Sequence, residues 1–281
     1  QCVCRKPNQT NKEKLTMNQE QRTTNKEQTA VATKANAKVP STNLFESDAN
    51  AGFQTMSQED LALPFLKVLG QLSPEVNTRH AKHIAGAEPG MILNTVTNEL
   101  HDGSKGISVI PCYYKREYVE WKDRGESMGA PVATHASDSD IVGSAKRDST
   151  FKDRLPNGNY LENTASHYVT MLGKNPCTAL ITMKSTQLKT SRKWNTMMMG
   201  IKLQGKDGLF TPPTYSHVYK LTTVQQSNDK GTWFGWDVTK VGPIEDRAMY
   251  DQAKSFSQNI SKGNVQVKHS SDSEKIGKTP Y

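Results

Sequence analysis

Ile107-Ser108-Val109-Ile110-Pro111-Cys112-Tyr113-Tyr114-Lys115-Arg116-Glu117-Tyr118-Val119-Glu120-Trp121 is the stretch that decides the fold. β-Branched and aromatic residues dominate it. At its end Tyr118 and Glu120 alternate with Val119 and Trp121, the two-residue period of a strand with one buried face. The run reads as one long strand or a bent pair. Pro111 cannot donate to a ladder, so it predicts a bulge or an edge position. On such a strand Tyr114, Arg116 and Tyr118 share one face, while Tyr113 and Lys115 begin the other.

Further strand signals lie on both sides, at residues 91–96 with Leu100, at Tyr160 and 167–172, and at 178–183. Residues 215–224 and 232–241 form a predicted hairpin around Ser227-Asn228-Asp229-Lys230-Gly231. The clearest helix starts at Ser185, carries Leu188, Arg192, Trp194, Met197, Met198 and Ile201 at helical spacings, and is stopped by Pro212-Pro213. A last helix runs from about Pro243 through Met249, Ala253 and Phe256. Upstream, Ser57 suits a helix N-cap leading into Leu61–Leu69, but Pro64 favours an extended lead-in with a helical turn after it. Residues 122–158 are polar and nearly free of large apolar residues, and a connection of that length reads as a functional flap or a flexible excursion.

The expected fold class is β-rich α+β. Strands, a helix and a closing hairpin suit an OB-like small barrel with one inserted helix and a C-terminal helix, though order alone also fits other α+β or β-barrel arrangements. The expected boundaries are a disordered polar and basic tail over residues 1–56, a single domain over 57–260, and a flexible tail over 261–281. Residues 1–43, rich in Gln, Asn, Thr and Lys and without an aromatic residue, have nothing to offset ordering entropy. Residues 1–16, ahead of Met17, are read as upstream sequence and carry no functional argument.

At 281 residues the chain is long enough for a real core, yet its mean hydropathy of -0.71 is low for one packed throughout. No apolar run approaches the roughly 20 residues that span a bilayer, so no membrane partner is expected and the protein is placed in the cytoplasm. Cys2, Cys4, Cys112 and Cys177 make no disulfide framework, which fits a reducing compartment. The net charge is +8, but residues 1–43 hold eight Lys/Arg against three Glu, leaving 28 against 25 in the rest. The basic character of the folded part therefore lies in its placement. Between Glu162 and Asp207 there is no acid at all, while Lys174, Lys184, Lys189, Arg192, Lys193, Lys202 and Lys206 all fall there.

Catalytic signatures are missing: no phosphate-binding Gly-rich loop, no nucleophile elbow and no His-Glu-x-x-His. His80 and His83 stand beside Arg79 and Lys82, which oppose a metal cation, and Asp138 with Asp140 lacks a later acid at the interval a calcium loop needs. The chain is read as a non-enzyme with no cofactor or metal. Single-stranded nucleic acid, in contrast, is held by a cationic groove and aromatic faces on which bases stack. Tyr114, Lys115, Arg116 and Tyr118 supply both on one strand. Lys189, Arg192 and Lys193 lie together on the predicted helix, with Lys184 before it and Lys202 after it. Of Trp233 and Trp236, one is expected in the core and the other exposed. Trp233, next to the hairpin turn, is taken as the exposed one. These ten residues form the expected binding surface.

Leu63-Pro64-Phe65-Leu66-Lys67-Val68-Leu69-Gly70-Gln71-Leu72-Ser73-Pro74-Glu75-Val76 resembles the opening of a group of tailed-bacteriophage single-stranded DNA-binding proteins of the replication module. Gly86-Ala87-Glu88-Pro89-Gly90-Met91-Ile92, the Val109–Tyr114 and Tyr118–Trp121 runs, Ser185-Thr186-Gln187-Leu188-Lys189 and Ser191-Arg192-Lys193-Trp194 continue the likeness, over roughly residues 60–245. It implies an OB-like fold and sequence-independent binding of single-stranded DNA in replication or recombination, and it identifies no contact residues. Such proteins often end in an acidic tail, whereas residues 251–281 hold five Lys against three acids. Either that regulation is absent or the chain is incomplete. Expected partners are single-stranded DNA, with RNA as a second candidate, replication proteins and further copies of the chain. The alternative is a virion structural or decoration protein with a basic genome-facing surface.

Overall fold

The computed structural model describes residues 45–46, 48–49, 51–56, 60–123, 130–229, 231–265 and 267. Most of the expected N-terminal tail, Ser57 as an N-cap, Cys2, Cys4, Lys230 in the hairpin turn and the end of the C-terminal tail lie outside the described residues. The chain divides into two units, residues 1–54 and 55–281. The described part of the first is a short turn at Phe45–Glu46 whose carbonyls accept from the Asp48 and Ala49 amides.

The second unit is β-rich. Strands β1 (Leu66–Val68), β2 (Ile92–Asn94) and β3 (Leu100–His101) make a small antiparallel sheet. An eight-stranded antiparallel sheet curls into a half-barrel around a long central pair, β4 (Ile107–Trp121) and β8 (Tyr160–Leu172). Those two run in register from Ser108↔Leu172 to Trp121↔Tyr160, with one shift between Pro111 and Tyr113. The bulge predicted by Pro111 is there.

The other edge of β4 is shared. Strand β12 (His217–Asn228) pairs with its start and β5 (Ala133–Ala136) with its end. The other edge of β8 takes β9 (Cys177–Lys184) along most of its length and β7 (Asp153–Arg154) at its start, and β6 (Lys146–Arg147) pairs with β7. Strand β13 (Gly231–Pro243) pairs with β12 and ends the path. Strands β10 (Leu203–Gly205) and β11 (Gly208–Phe210) form a separate two-stranded hairpin. Three helices are described: α1 (Asp140–Ser144), α2 (Leu188–Met199) and α3 (Arg247–Ser261).

Alternation along these strands feeds two cores. Val109, Val169, Ile181, Met183, Tyr219 and Val238 face α2, which buries Trp194 and Met198 among them. Ile110, Cys112, Tyr168 and Leu180 face the other way, onto Ala253, Phe256 and Ile260 of α3. Asp246 caps α3 by accepting from the Ala248 and Met249 amides. Three glycines let the small sheet and β12 meet closely. A Cβ on Gly103 would lie 1.9 Å from the Gly90 carbonyl oxygen, one on Gly106 2.1 Å from the Leu221 carbonyl oxygen, and one on Gly90 2.8 Å from the Phe234 ring.

Two expectations need correction. The segment after Ser57 is extended, the alternative that Pro64 favours, and its Leu66–Val68 run is a strand instead of the expected helical turn. Its Pro64 carbonyl accepts from the Leu180 amide and β1 pairs with β2, so sheet partners take the backbone groups a helix would use internally. The polar 122–158 connection is, where described, a folded lobe carrying β5, α1, β6 and β7. Its centre is the buried Glu120 carboxylate, which accepts from His135, Asn157 and Asn159. Asp123 binds Lys152 and Arg154, and Asp148 binds Arg154. Polar side chains hold this lobe, so it has no hydrophobic pattern to read.

Candidate nucleic-acid interface

The acid-free span folds into most of β8, then β9, a 3-10 turn at Ser185–Gln187, α2 and β10. Sequence placed one helix start at Ser185. The true α-helix begins three residues later, because the turn delivers Gln187 to the edge of β13. There Gln187 Oε1 accepts from the Trp236 amide at 2.9 Å, and Thr190 Oγ1 donates to the Trp236 carbonyl at 3.2 Å. Gly235 makes this possible, since a Cβ there would sit 2.1 Å from Gln187 Nε2.

Underneath, Ser191 and Trp194 seat the helix on His167. The imidazole lies 2.8 Å from Ser191 Oγ and stacks on the Trp194 indole. Trp194 in turn meets Tyr219, ring centroids 5.8 Å apart. Burial drives the His167 pKa down to about 3 and the Tyr219 phenol up to about 12, so both are neutral at physiological pH.

With that face committed, the opposite face of α2 presents Lys189, Arg192, Lys193 and Thr196 to solvent. Lys193 reaches Asp237 of β13 at 2.8 Å, and this bond holds the Asp237 carboxyl below its ordinary value. Lys189 and Arg192 have no acidic partner among the described residues. Their charge is free for an anionic ligand.

The β4 residues divide as alternation predicts. Tyr114 is half-buried, with its ring centroid 5.0 Å from that of His167, so it belongs to the packing under α2. Arg116 and Tyr118 continue along the same face. Arg116 Nη2 donates to the Tyr118 hydroxyl at 2.9 Å and Nε to Asn163 Oδ1 at 3.2 Å, and the guanidinium lies 5.5 Å from the Tyr118 ring centroid. Among the described residues no acid binds Arg116. Lys115 lies on the opposite face, paired with the buried Glu117.

The remaining candidates are dispersed. Lys184 is bound to Glu162 at 3.1 Å, and Lys202 donates to Thr211. Trp236 is buried, whereas Trp233 is half-buried with its indole N–H on Gln226. Trp121 is in the core. Among the described residues no hydrogen bond, ion pair or ring contact joins Arg116 or Tyr118 to Lys189, Arg192 or Lys193. Of the expected surface only Tyr114 touches the seat of α2, through the buried His167.

Two features escaped the sequence reading. One is a cleft of about 820 Å³ whose lining includes Phe65, Trp121, Gln187 and Phe234, along with the Lys67–Glu75 and Lys184–Glu162 pairs. Its walls come from segments far apart in sequence, so no local pattern marks it. The other is the β10–β11 hairpin, which carries exposed Leu203, Leu209 and Phe210. Gly205-Lys206-Asp207-Gly208 between apolar residues was the signal for it.

A family model described as "Pam3 phage gp34-like protein" matches residues 26–266. No curated protein matches the chain, and no solved structure does.

Proposed function

The chain belongs to the Pam3 phage gp34-like protein family, and from that premise we propose that it binds single-stranded DNA without reading its sequence, as a non-enzymatic factor in phage replication or recombination. The host cytoplasm is where such a protein would work. The observation that carries this reading is the outward face of α2, where Lys189 and Arg192 are exposed with no acidic partner among the described residues; Arg116 and Tyr118 on β4 form a second, separate cationic-aromatic pair. Cations of that kind take phosphates, and aromatic or guanidinium planes take bases.

The strand order supports an OB-like reading of the half-barrel. β4, β8 and β9 are consecutive antiparallel neighbours, α2 follows, and β12 and β13 return to the free edge of β4. Three strands, a helix and two strands in that order suit an open OB-type barrel. Gln187 of the 3-10 turn and Thr190 of α2 bond the Trp236 backbone of β13, the last strand of the sheet path.

The test is anisotropy of a labelled oligo-dT of about 30 nucleotides, enough for at least one OB-type site. Binding is expected at low salt, with log K falling against log salt by roughly 0.7 for each phosphate neutralised. Absence of binding at low salt, or a flat salt response, overturns the proposal. Stable assembly without nucleic acid and without preference for single strands would favour a virion structural role instead.

A further inference from the structure

The hairpin that follows α2 is unusual in what it leaves uncovered. Leu203 and Phe210 are directly opposite each other on one face of it, Phe210 at 47% exposure, and Leu209 is 71% exposed on the other face. Met199, at the end of α2, is 66% exposed. Apolar side chains standing out together in this way mark a contact surface. The charge around them is mostly positive: Lys202 precedes the hairpin, Lys206 stands in its turn, Lys189 and Arg192 precede it on α2, and Asp207 in the turn is the one acid between Glu162 and Asp229.

Phe210 has a specific geometry. Its ring lies against Gly205, where a Cβ would come within 3.1 Å of the ring carbon Cδ1. Gly205 pairs with Gly208 in the turn, so neither residue puts a side chain beside the ring. The ring thus rests on backbone at its Cδ1–Cε1 side, while nearly half of the residue stays open to solvent. An aromatic ring held in this way is suited to a flat apolar partner, and the cations around it suit one attached to an anionic chain. A nucleobase on a phosphate backbone is both.

We propose that Phe210 is a base-stacking platform and that a bound single strand runs from the outward face of α2, with phosphates at Lys189 and Arg192, onto the β10–β11 hairpin. The inference rests on the single-strand-binding reading given above and adds the path. Arg192 and Met199 are two helical turns apart on the same side of α2, and the hairpin begins four residues after Met199, within reach of a short single strand. Gly205 is required by the platform, and Lys202, anchored to Thr211, steadies the hairpin base.

The test uses the full chain with dT of about 30 nucleotides and three variants, Phe210→Ala, Phe210→Leu and Phe210→Trp, each checked for an unchanged melting temperature. Loss of one base stack is expected to weaken binding by about fivefold to a hundredfold in Phe210→Ala. Phe210→Leu should fail nearly as badly, because it keeps apolar area and loses the flat face. Phe210→Trp should bind at least as tightly as the natural chain and report binding by quenching of the new indole. Wild-type binding that survives Phe210→Ala within about twofold, below the loss expected of a base stack, overturns the path while leaving the single-strand reading intact. Self-association lost in Phe210→Ala and Phe210→Leu, with DNA affinity unchanged, would make the hairpin a protein contact and also overturn it. No DNA binding by the natural chain defeats the underlying reading and the path together.

Discussion

The imidazole of His167 stacks on the indole of Trp194 with 4.4 Å between ring centroids and 15° between planes. This contact fixes α2 to the central strand pair, and with it the direction in which the basic face points. Both side chains are fully buried, and the stack continues to Tyr114 on one side and Tyr219 on the other. The helix that carries the proposed phosphate contacts therefore rests on neutral aromatic rings.

A pH dependence follows from that burial. The His167 pKa falls from 6.5 to about 3 in the folded chain. Below pH 6.5 the unfolded chain takes up a proton that the folded chain excludes, so acidification lowers stability, by up to about 1.4 kcal/mol per pH unit within that window. Thermal melting of His167→Gln should show a flatter slope between about pH 6.5 and 5, above the range where carboxylates titrate. Equal slopes for the two proteins would count against this account.

Gly103→Ala should be among the most damaging single-methyl changes in the chain. The added Cβ would meet the Gly90 carbonyl and Thr223 Oγ1 within 2.1 Å, and Thr223 bonds to both glycines' carbonyls. Overpacking against backbone costs about 1–3 kcal/mol or more. Gly143→Ala, with nothing within 4 Å of its Cβ, is the matched control and should melt like the natural chain.

Glu120→Gln should loosen the 133–160 lobe without unfolding the half-barrel. The carboxylate is buried, which by itself raises its pKa, yet hydrogen bonds from Asn159, His135 and Asn157 outweigh burial and lower it. Its contribution to stability is therefore present above the ordinary Glu value and lost as pH falls through the folded one. Removing the charge should cost about 1–3 kcal/mol. Limited proteolysis should show faster cleavage inside the lobe, and an unchanged digestion pattern would refute the prediction.

Lys189→Gln with Arg192→Gln should reduce the salt slope of oligonucleotide binding by roughly 0.7 for each cation removed. Arg247→Gln, on α3 and already paired with Asp251, should leave the slope unchanged. Equal losses in both variants would point to general charge rather than a located surface.

The parts of this fold that repeat locally were legible from sequence. The two-residue alternation of β4, the bulge at Pro111, the hairpin around residues 228–231, and the burial of Trp121 and Trp236 with Trp233 left half-exposed all follow from local patterns. What depended on distant partners was not. Leu61–Leu69 carries a run of apolar residues, but Pro64 and β1 are recruited by β9 and β2. The 122–158 lobe hid because its cement is Glu120, Asp123 and Asp148 rather than an apolar stripe. For the binding surface, residue chemistry identified cations and aromatics but not their neighbours. Asp237 and Glu162 neutralise Lys193 and Lys184, and only the fold brings those acids alongside, whereas the Lys115–Glu117 pair lies two residues apart on one strand.

Gln187 and Thr190 occupy the amide and carbonyl of Trp236 in the middle of the outermost strand. An open strand there would offer its backbone to any copy of the chain that drifted alongside, and growth by strand addition is hard to reverse. With that template broken at its centre, copies crowded onto the single strand we propose they bind would lose one route to edge-to-edge fusion. They could then be shed one at a time, without welding into fibres.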